Sequence, residues 1–125
     1  MADDLALSPL AHTWLIDFDG TVVAHNGHLT GEDRLLPGVA DFWGRIPAAD
    51  TVVLMSARGV EHSEKALALM AAHGLKVDRL MFGLPTGERV LINDAKPSGL
   101  ATALAVNLQR DEGPRAISVR VDPEL

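Results

Sequence analysis

A short apolar run between His12 and Phe18 ends abruptly in acidic residues. The run reads HTWLIDF, and Asp-Gly follows it directly. Short apolar segments rich in β-forming residues predict a buried strand when they run straight into a turn of this kind. We therefore expect Asp17 and Asp19 to lie at the carboxyl end of a buried strand.

Other apolar segments of strand length recur along the chain. TVVLMS, from Thr51 to Ser56, is continuously apolar until it reaches a hydroxyl residue, which predicts a second buried parallel strand. Further strands are predicted at Arg79 to Phe82 and at Arg89 to Asp94, the latter again ending in a carboxylate. ISVRV, at 117–121, alternates as an edge strand does, while Thr102 to Leu108 fits either a strand or a helix.

Turn and helix signals separate these strands. Residues 22–31 contain Asn-Gly and a second glycine, which predicts a small hairpin over the strand ends. Pro37 suits the first position of a helix that would run on until Pro47 stops it. The segment from Val60 to His73 has apolar residues at helical spacing, and Gly74 is a suitable C-terminal cap.

The alternation of strands and helices predicts an α/β fold, a Rossmann-like three-layer sandwich with a central parallel sheet. At 125 residues the chain has the length of one ordinary domain, so we assign residues 1–125 to a single domain. Ligands bind such sheets at the carboxyl ends of the strands. The acids Asp17, Asp19 and Asp94 and the hydroxyl of Ser56 would all emerge on that edge.

Composition excludes several classes of function. The sequence contains no cysteine, which rules out disulfides, thiolate metal sites and a thiol nucleophile. Acids rather than basic residues stand near its start, and no apolar run reaches the roughly 18 to 20 residues of a membrane span, so we expect a cytoplasmic protein without a membrane partner. A formal net charge of -6 argues against a nucleic-acid partner. Small phosphorylated substrates stay open, because a bound divalent cation can invert the local field.

The segment LIDFDGT, from Leu15 to Thr21, joins an apolar strand to acids at i and i+2, followed by glycine and threonine. This pattern resembles the first motif of the haloacid dehalogenase (HAD) superfamily. The resemblance implies that Asp17 attacks phosphorus to form an aspartyl phosphate, while Asp19 protonates the leaving oxygen and then activates water. Strand side chains at i and i+2 leave on the same side, so both acids can reach one substrate, and Thr21 could orient the loop. The alternative is a plain Asp-Gly-Thr turn after a core strand.

The segment VVLMSARG resembles the second motif of the same family. By that resemblance Ser56 hydrogen-bonds the transferring phosphoryl group, and the main-chain amide of Ala57 assists it. Arg58 is either a further contact to the substrate or a surface residue. A serine at the end of a strand, taken by itself, is more often a helix cap.

The segment LINDAKP resembles the fourth motif, whose acid completes a magnesium site. The implied Mg²⁺ ligands are the side chains of Asp17 and Asp94 and the main-chain carbonyl of Asp19, with phosphate and water in the remaining positions. Members of the family often carry two adjacent acids here, whereas this chain has Asn93 before Asp94. The alternative is a solvated acid in a turn that precedes proline.

The third motif of the family supplies a lysine that offsets the charge of the acids and the phosphate. At the expected position this chain has Leu84. Lys96 is our preferred substitute and Lys65 the second choice, and the alternative is an ordinary surface lysine. His25 and His28 lie in the predicted hairpin, where contact with the leaving group is less favoured than a surface position.

The resemblance extends from about Trp14 to Pro97, and the intervals between the motifs leave no room for the cap domain of larger members. It implies a magnesium-dependent phosphomonoester hydrolase that works through an aspartyl phosphate. Small capless members act on large substrates, or oligomerise so that a neighbour covers the site, and several process sugar phosphates or polysaccharide precursors. The missing lysine and Asn93 motivate one alternative, a catalytically weak module that binds magnesium and a phosphorylated ligand. A phosphotransferase is a further alternative.

Overall fold

The computed structural model describes residues 3–125, which form parallel strands in two separate sheets together with two α-helices. The strands are β1 (Asp3–Leu7), β2 (Thr13–Asp17), β3 (Thr51–Met55), β4 (Arg79–Met81) and β5 (Ile117–Val121). The helices are α1 (Val39–Gly44) and α2 (Ser63–Ala72). One sheet has the order β2, β3, β4, and β1 pairs with β5 in the other. The described chain is therefore a mixed α/β structure.

The middle strand of the three-stranded sheet, β3, carries its most deeply buried side chains. Val52 and Leu54 are fully buried. A strand covered on both faces needs such a continuous apolar sequence, and β2 and β4 pair with its main chain on either side. Asp17, the last residue of β2, pairs with Met55, the last of β3. The parallel strands predicted at these places are confirmed, but β2 is only partly buried, with Leu15 43% exposed. The carboxyl ends of β2 and β3 lie side by side.

The helix α1 connects β2 to β3 and packs one face against the core. Val39, Phe42 and Trp43 are buried, at the i, i+3 and i+4 positions that share one side of a helix. Its N-cap is Gly38 with a φ of 83°, where a side chain would also collide with the turn that precedes β5. Because this left-handed glycine separates the helix from Pro37, the prediction that Pro37 opens the helix is wrong.

The helix α2 connects β3 to β4, follows a 3₁₀ turn and ends in a glycine cap. Gly74 has a φ of 66°, and its N–H donates to the carbonyl of Ala71 at 3.0 Å. The N–H of Leu75 donates to the carbonyl of Met70 at 2.9 Å, which completes a Schellman motif. The predicted cap is confirmed. None of the helices in residues 3–125 is long and apolar enough to cross a membrane.

A buried carboxylate ties β2 to β3 at the end opposite to the acids. Asp50, which is 2% exposed, accepts hydrogen bonds from the main-chain N–H of His12 at 3.1 Å and from Nε1 of Trp14 at 2.9 Å. Nδ1 of His12 lies 2.9 Å from the same carboxylate. Burial alone would raise the pKa of Asp50, but these hydrogen bonds outweigh it and hold that pKa below its ordinary value.

The strand predicted from Arg89 to Asp94 does not form. The segment has no regular structure, and Val90 and Ile92 are 81% and 90% exposed, so no partner strand or covering layer stabilises an extended conformation. Residues 102–108 are neither strand nor helix. With two α-helices and two small sheets in residues 3–125, the α/β class is confirmed but the three-layer sandwich is not.

Residues 22–31 form turns rather than the predicted hairpin. The Asn-Gly pair does produce a left-handed residue, but a 3₁₀ turn at Gly27–Leu29 follows it. Val23 forms an isolated antiparallel bridge to Leu35, outside the five strands, and the chain between these two residues forms a loop. We call these intervening residues, 24–34, the flap.

The strands β1 and β5 pair in parallel along their whole length, from Asp3 opposite Ile117 to Leu7 opposite Val121. The strand predicted at 117–121 is thus confirmed, and the sequence signals did not predict its partner. Ile117 is buried in the same apolar cluster as residues of α1 and of the larger sheet. This shared core attaches the second sheet to the first.

Candidate functional site

The chain leaves β2 in a tight turn that carries the acidic pair. The N–H groups of Val22 and Val23 both donate to the carbonyl of Phe18, at 2.9 and 3.1 Å. Gly20 adopts a φ of 82°, which glycine reaches without strain. Phe18, Val22 and Val23 are fully buried, so the turn is anchored from below. The acids on either side of Phe18 are left at a cleft.

This cleft, of about 680 Å³, opens at the carboxyl ends of β2 and β3. Of the residues predicted for the site, Asp17, Asp19, Thr21, Ala57 and Arg58 line it. The flap, the loop after β4 and the segment that precedes β5 complete the lining. The structure thus brings the residues of the first two predicted motifs together at one sheet edge.

Both carboxylate oxygens of Asp19 have hydrogen-bond donors. Nε and Nη2 of Arg58 lie 2.8 and 2.7 Å from Oδ1, and the hydroxyl of Ser56 donates to Oδ2 at 2.7 Å. The same hydroxyl accepts the N–H of Arg58 at 3.0 Å. Ser56 is fully buried beneath the cleft rather than lining it. In this structure its hydroxyl therefore orients Asp19.

The side chain of Arg58 is buried between two carboxylates. Beyond Asp19, it forms a bidentate pair with Asp33 of the flap, in which Nη1 and Nη2 each lie 2.8 Å from one carboxylate oxygen. Its guanidinium carbon lies 4.9 Å from the centre of the Phe18 ring. The hydrogen bond from Arg58 is the main cause that holds the pKa of Asp33 below its ordinary value. Arg58 is 8% exposed, so of the two alternatives for this residue the surface position is wrong.

Asp17 has a different environment from Asp19. Burial raises its pKa above the ordinary value, and the charge of Asp19 raises it further. The positive charges of Arg89, His25 and Arg110 act in the opposite direction without cancelling the shift. Among the described residues, no hydrogen bond contributes to this shift. Asp17 is therefore an incompletely compensated carboxylate.

The segment before β5 places the side chain of Arg110 in the cleft that holds Asp17 and Asp19. The N–H of Asp111 donates to the carbonyl of Gly20 at 2.9 Å, and its carboxylate accepts the N–H of His25 at 2.7 Å. A β-carbon at Gly20 would lie 3.2 Å from Cγ of Arg110, so the arginine stem packs directly on the turn. Arg89 reaches the cleft from the loop after β4, where two main-chain carbonyls hold its guanidinium. The sequence signals did not identify either arginine.

The other predicted site residues lie elsewhere. Asp94 is exposed, and its carbonyl accepts the hydroxyl of Thr102. Lys96 stands in an exposed turn in which its N–H donates to the carbonyl of Leu100 at 2.9 Å, and Lys65 is exposed on α2. None of these side chains lines the cleft. The prediction that Asp94 emerges at the same sheet edge is wrong, because no strand carries it there.

The acids do not form a complete metal site by themselves. Within residues 3–125, no group of three or more histidines and acids is placed to hold a metal ion. The carboxylate of Asp17 does lie in the cleft beside Asp19, whose own carboxylate is committed to Arg58 and Ser56. Magnesium commonly binds proteins through one or two carboxylates, with phosphate and water supplying the other oxygens. These residues would therefore hold Mg²⁺ only if oxygens of a ligand and of water filled the remaining positions, and Asp94 would not contribute.

The predicted histidines of the flap both line the cleft. The ring of His28 packs edge-on against that of His62, with their centres 5.3 Å apart. Nδ1 of His28 is buried without a hydrogen-bond partner among the described residues. His25 is exposed to solvent and also lines the cleft, so both predicted positions describe it.

Comparisons of the chain with protein-family models, with curated proteins and with solved structures find no match. The chemistry of the site is therefore argued from its own residues. Those are an acidic pair at a sheet edge, a buried arginine that binds one acid of the pair, and two further arginines in the cleft.

Proposed function

We propose that the chain is a phosphohydrolase that cleaves phosphomonoesters, with Asp17 as the attacking carboxylate. One observation carries this proposal: Asp17 and Asp19 open into the same cleft but have different partners. A nucleophile needs an oxygen that is not committed to a donor, whereas an acid-base group needs to be oriented. Asp17 meets the first requirement and Asp19 the second. The HAD-like motif pattern of the sequence assigns the same roles.

The proposed reaction has two displacements at phosphorus. An oxygen of Asp17 bonds to phosphorus, the ester P–O bond breaks, and its electron pair leaves with the alcohol oxygen, which takes a proton from Asp19. Water then attacks the aspartyl phosphate and gives its proton to Asp19. The bond between phosphorus and Asp17 breaks, which releases phosphate and restores the carboxylate.

The charge of the substrate requires cations beside the acids. The guanidinium of Arg58 is already shared by Asp19 and Asp33, so it is not free for phosphate. Arg110 and Arg89 line the cleft and act electrostatically on Asp17. We assign to them the charge-balancing role that the sequence pattern assigned to Lys96. Arginine suits this role because its planar donors match two phosphate oxygens.

Magnesium is the proposed cofactor. The side chain of Asp17 and the main-chain carbonyl of Asp19 would hold it, together with oxygens of phosphate and water. When bound, the ion would supply positive charge against the carboxylate and the phosphoryl oxygens. Burial, and then the charge of Asp19, raise the pKa of Asp17, and a cation at this place would relieve both effects.

Turnover of phosphomonoesters tests the proposal. Purified protein with Mg²⁺ should hydrolyse p-nitrophenyl phosphate and members of a phosphometabolite panel, and chelation of the metal should stop the reaction. Asp17→Asn is the matched control, because the amide keeps the volume but is not an anionic nucleophile. Absence of phosphate release across the whole panel would contradict a phosphohydrolase.

A second candidate function is a module that binds magnesium and a phosphorylated ligand without rapid turnover. It is favoured by the donors on both oxygens of Asp19, since a proton on that side chain would have to displace the Ser56 hydroxyl or a guanidinium N–H. Calorimetry with Mg²⁺ and inorganic phosphate separates the two candidates. Tight binding of both, with no hydrolysis of any phosphomonoester, would favour the module.

A further inference from the structure

The carboxylate of Asp33 lies outside the cleft but shares one cation with the acid-base residue. It belongs to the flap and does not line the cleft, whereas Asp19 does. The side chains of Arg58 and Asp33 are 5% and 14% exposed, so the pair is largely removed from water. Bidentate arginine-carboxylate pairs add geometric specificity to their interaction energy. Asp33 is therefore joined to Asp19 through the guanidinium of Arg58.

The geometry of the guanidinium explains what Asp33 does. Asp33 contacts Nη1 and Nη2 at the outer edge of the fork, while Nε and Nη2 lie 2.8 and 2.7 Å from Oδ1 of Asp19. The Phe18 ring lies against the same group and limits its tilt. Loss of the two outer contacts would leave a long side chain with only Asp19 and the ring to fix its plane. The position of Asp19 would then become less defined.

We propose that Asp33 is a positioning residue for Asp19, acting through Arg58. This inference rests on the proposed function, in which Asp19 passes a proton to the leaving oxygen. A misplaced acid slows the departure of a poor leaving group, which needs the proton, more than that of a good one, which does not. The signature of the role is therefore a change in preference between leaving groups.

The test compares two substrates in wild type and in Asp33→Asn at saturating Mg²⁺. An alkyl phosphate needs the proton, and p-nitrophenyl phosphate scarcely does. We compare kcat/KM, which reports formation of the aspartyl phosphate, because kcat also contains the hydrolysis of that intermediate, which is the same for both substrates. For the alkyl phosphate we expect kcat/KM to fall about ten- to a hundredfold, at the lower end of what general acid catalysis contributes. For p-nitrophenyl phosphate we expect a loss below about threefold.

The ratio of the two activities keeps the test independent of folding, because partial unfolding lowers both by the same factor. Glu32→Gln is the control: it removes the neighbouring flap charge, which is exposed, and should leave the ratio unchanged. Equal losses of kcat/KM on both substrates in Asp33→Asn would overturn the inference while the phosphohydrolase stands. Wild-type protein that cleaves neither substrate would overturn both. If Asp33→Asn does not fold, Asp33→Glu carries the comparison, since it keeps the charge but displaces the carboxylate by a methylene, and an unchanged ratio there would overturn the inference.

Discussion

Two regions of this chain have nearly the same sequence pattern and different structures. At β2 and again at 89–94, an apolar run closes on an aspartate. In the first region the run pairs with β3, and Phe18 just beyond it is fully buried. In the second, Val90 and Ile92 are almost wholly exposed. The difference shows that such a run places an acid only where a neighbouring strand and a covering layer fix the backbone.

The largest expected effect separates the two aspartates themselves. Asp17→Asn should lower kcat/KM for a phosphomonoester by at least about a thousandfold, as removal of a nucleophile does in other covalent enzymes. Asp94→Asn, the same change at the exposed position, should alter it less than about twofold. Phosphate release at saturating Mg²⁺ measures both. Near-wild-type turnover in Asp17→Asn, or a large loss in Asp94→Asn, would break the comparison.

Loss of a carboxylate should destabilise the fold in the paired region, at Asp50, and scarcely in the exposed segment, at Asp94. Asp50→Ala leaves the donors of His12 and Trp14 buried without an acceptor, at a cost of about 3 kcal/mol in the free energy of unfolding. Asp94→Ala should change that free energy by less than about 0.5 kcal/mol. Urea unfolding of the two variants beside wild type provides the measurement. Equal destabilisation would argue that the hydrogen bonds to Asp50 do not stabilise the fold.

The hydrogen-bonded carboxylate of Asp50 also predicts that the stability of the fold depends on pH. The pKa of Asp50 in the folded chain lies below its ordinary value, because the hydrogen bonds from Trp14 and His12 outweigh burial. Its ionised form thus stabilises the fold at pH above the ordinary pKa, and this stabilisation is lost as pH falls through the folded value. The gap in stability between wild type and Asp50→Ala should accordingly narrow in acid. If the difference in free energy of unfolding between wild type and Asp50→Ala stayed constant from neutral pH to about pH 3, ionised Asp50 would not stabilise the fold in this way.

The cations give the next comparison. Arg110→Ala should lower kcat/KM about ten- to a hundredfold, on the scale of roughly 1.5 to 3 kcal/mol for charge-assisted contacts. Lys96→Ala, in the exposed segment, should change it less than about twofold. Assays of the two variants side by side decide the matter. A large loss in Lys96→Ala with Arg110→Ala unaffected would restore the lysine that the sequence pattern favours.

The smallest expected effect concerns the stability of the site region itself. Burial, and then the charge of Asp19, raise the pKa of Asp17, so its ionised form destabilises the folded chain at neutral pH. Asp17→Asn without metal should therefore unfold at a slightly higher temperature than wild type. The difference should shrink as pH falls through the raised pKa and vanish below the ordinary pKa, where Asp17 is neutral in both the folded and the unfolded chain. A lower melting temperature for the variant at neutral pH would mean that the carboxylate stabilises the fold.

The larger sheet was predictable because its signals are local. A continuous apolar run such as that of β3 predicts a buried strand without knowledge of its neighbours. The strand β1 begins with two acids and is short, so nothing in its own sequence marks it. The run at 89–94 has the local signal but lacks a partner, and partners are not visible in a pattern.

The acidic pair of the site was predictable for a related reason. Asp17 and Asp19 are adjacent to a strong strand signal and two residues apart, so one turn places both. The pair of Asp33 with Arg58 and the docking of Arg110 join residues that are distant in sequence. Their placement depends on how the flap and the segment before β5 pack, which single-residue patterns do not encode.

The pairing of β1 with β5 has a consequence for the order of folding. Asp3 and Ile117 are separated by nearly the whole described chain, and contacts of such high sequence separation form slowly. The strands β2, β3 and β4 follow one another with a short helix between each pair, so they can assemble earlier. Arg110 lies just before β5 and docks on Gly20 through its neighbour. We therefore expect Asp17 and Asp19 to reach their places during folding before Arg110 does.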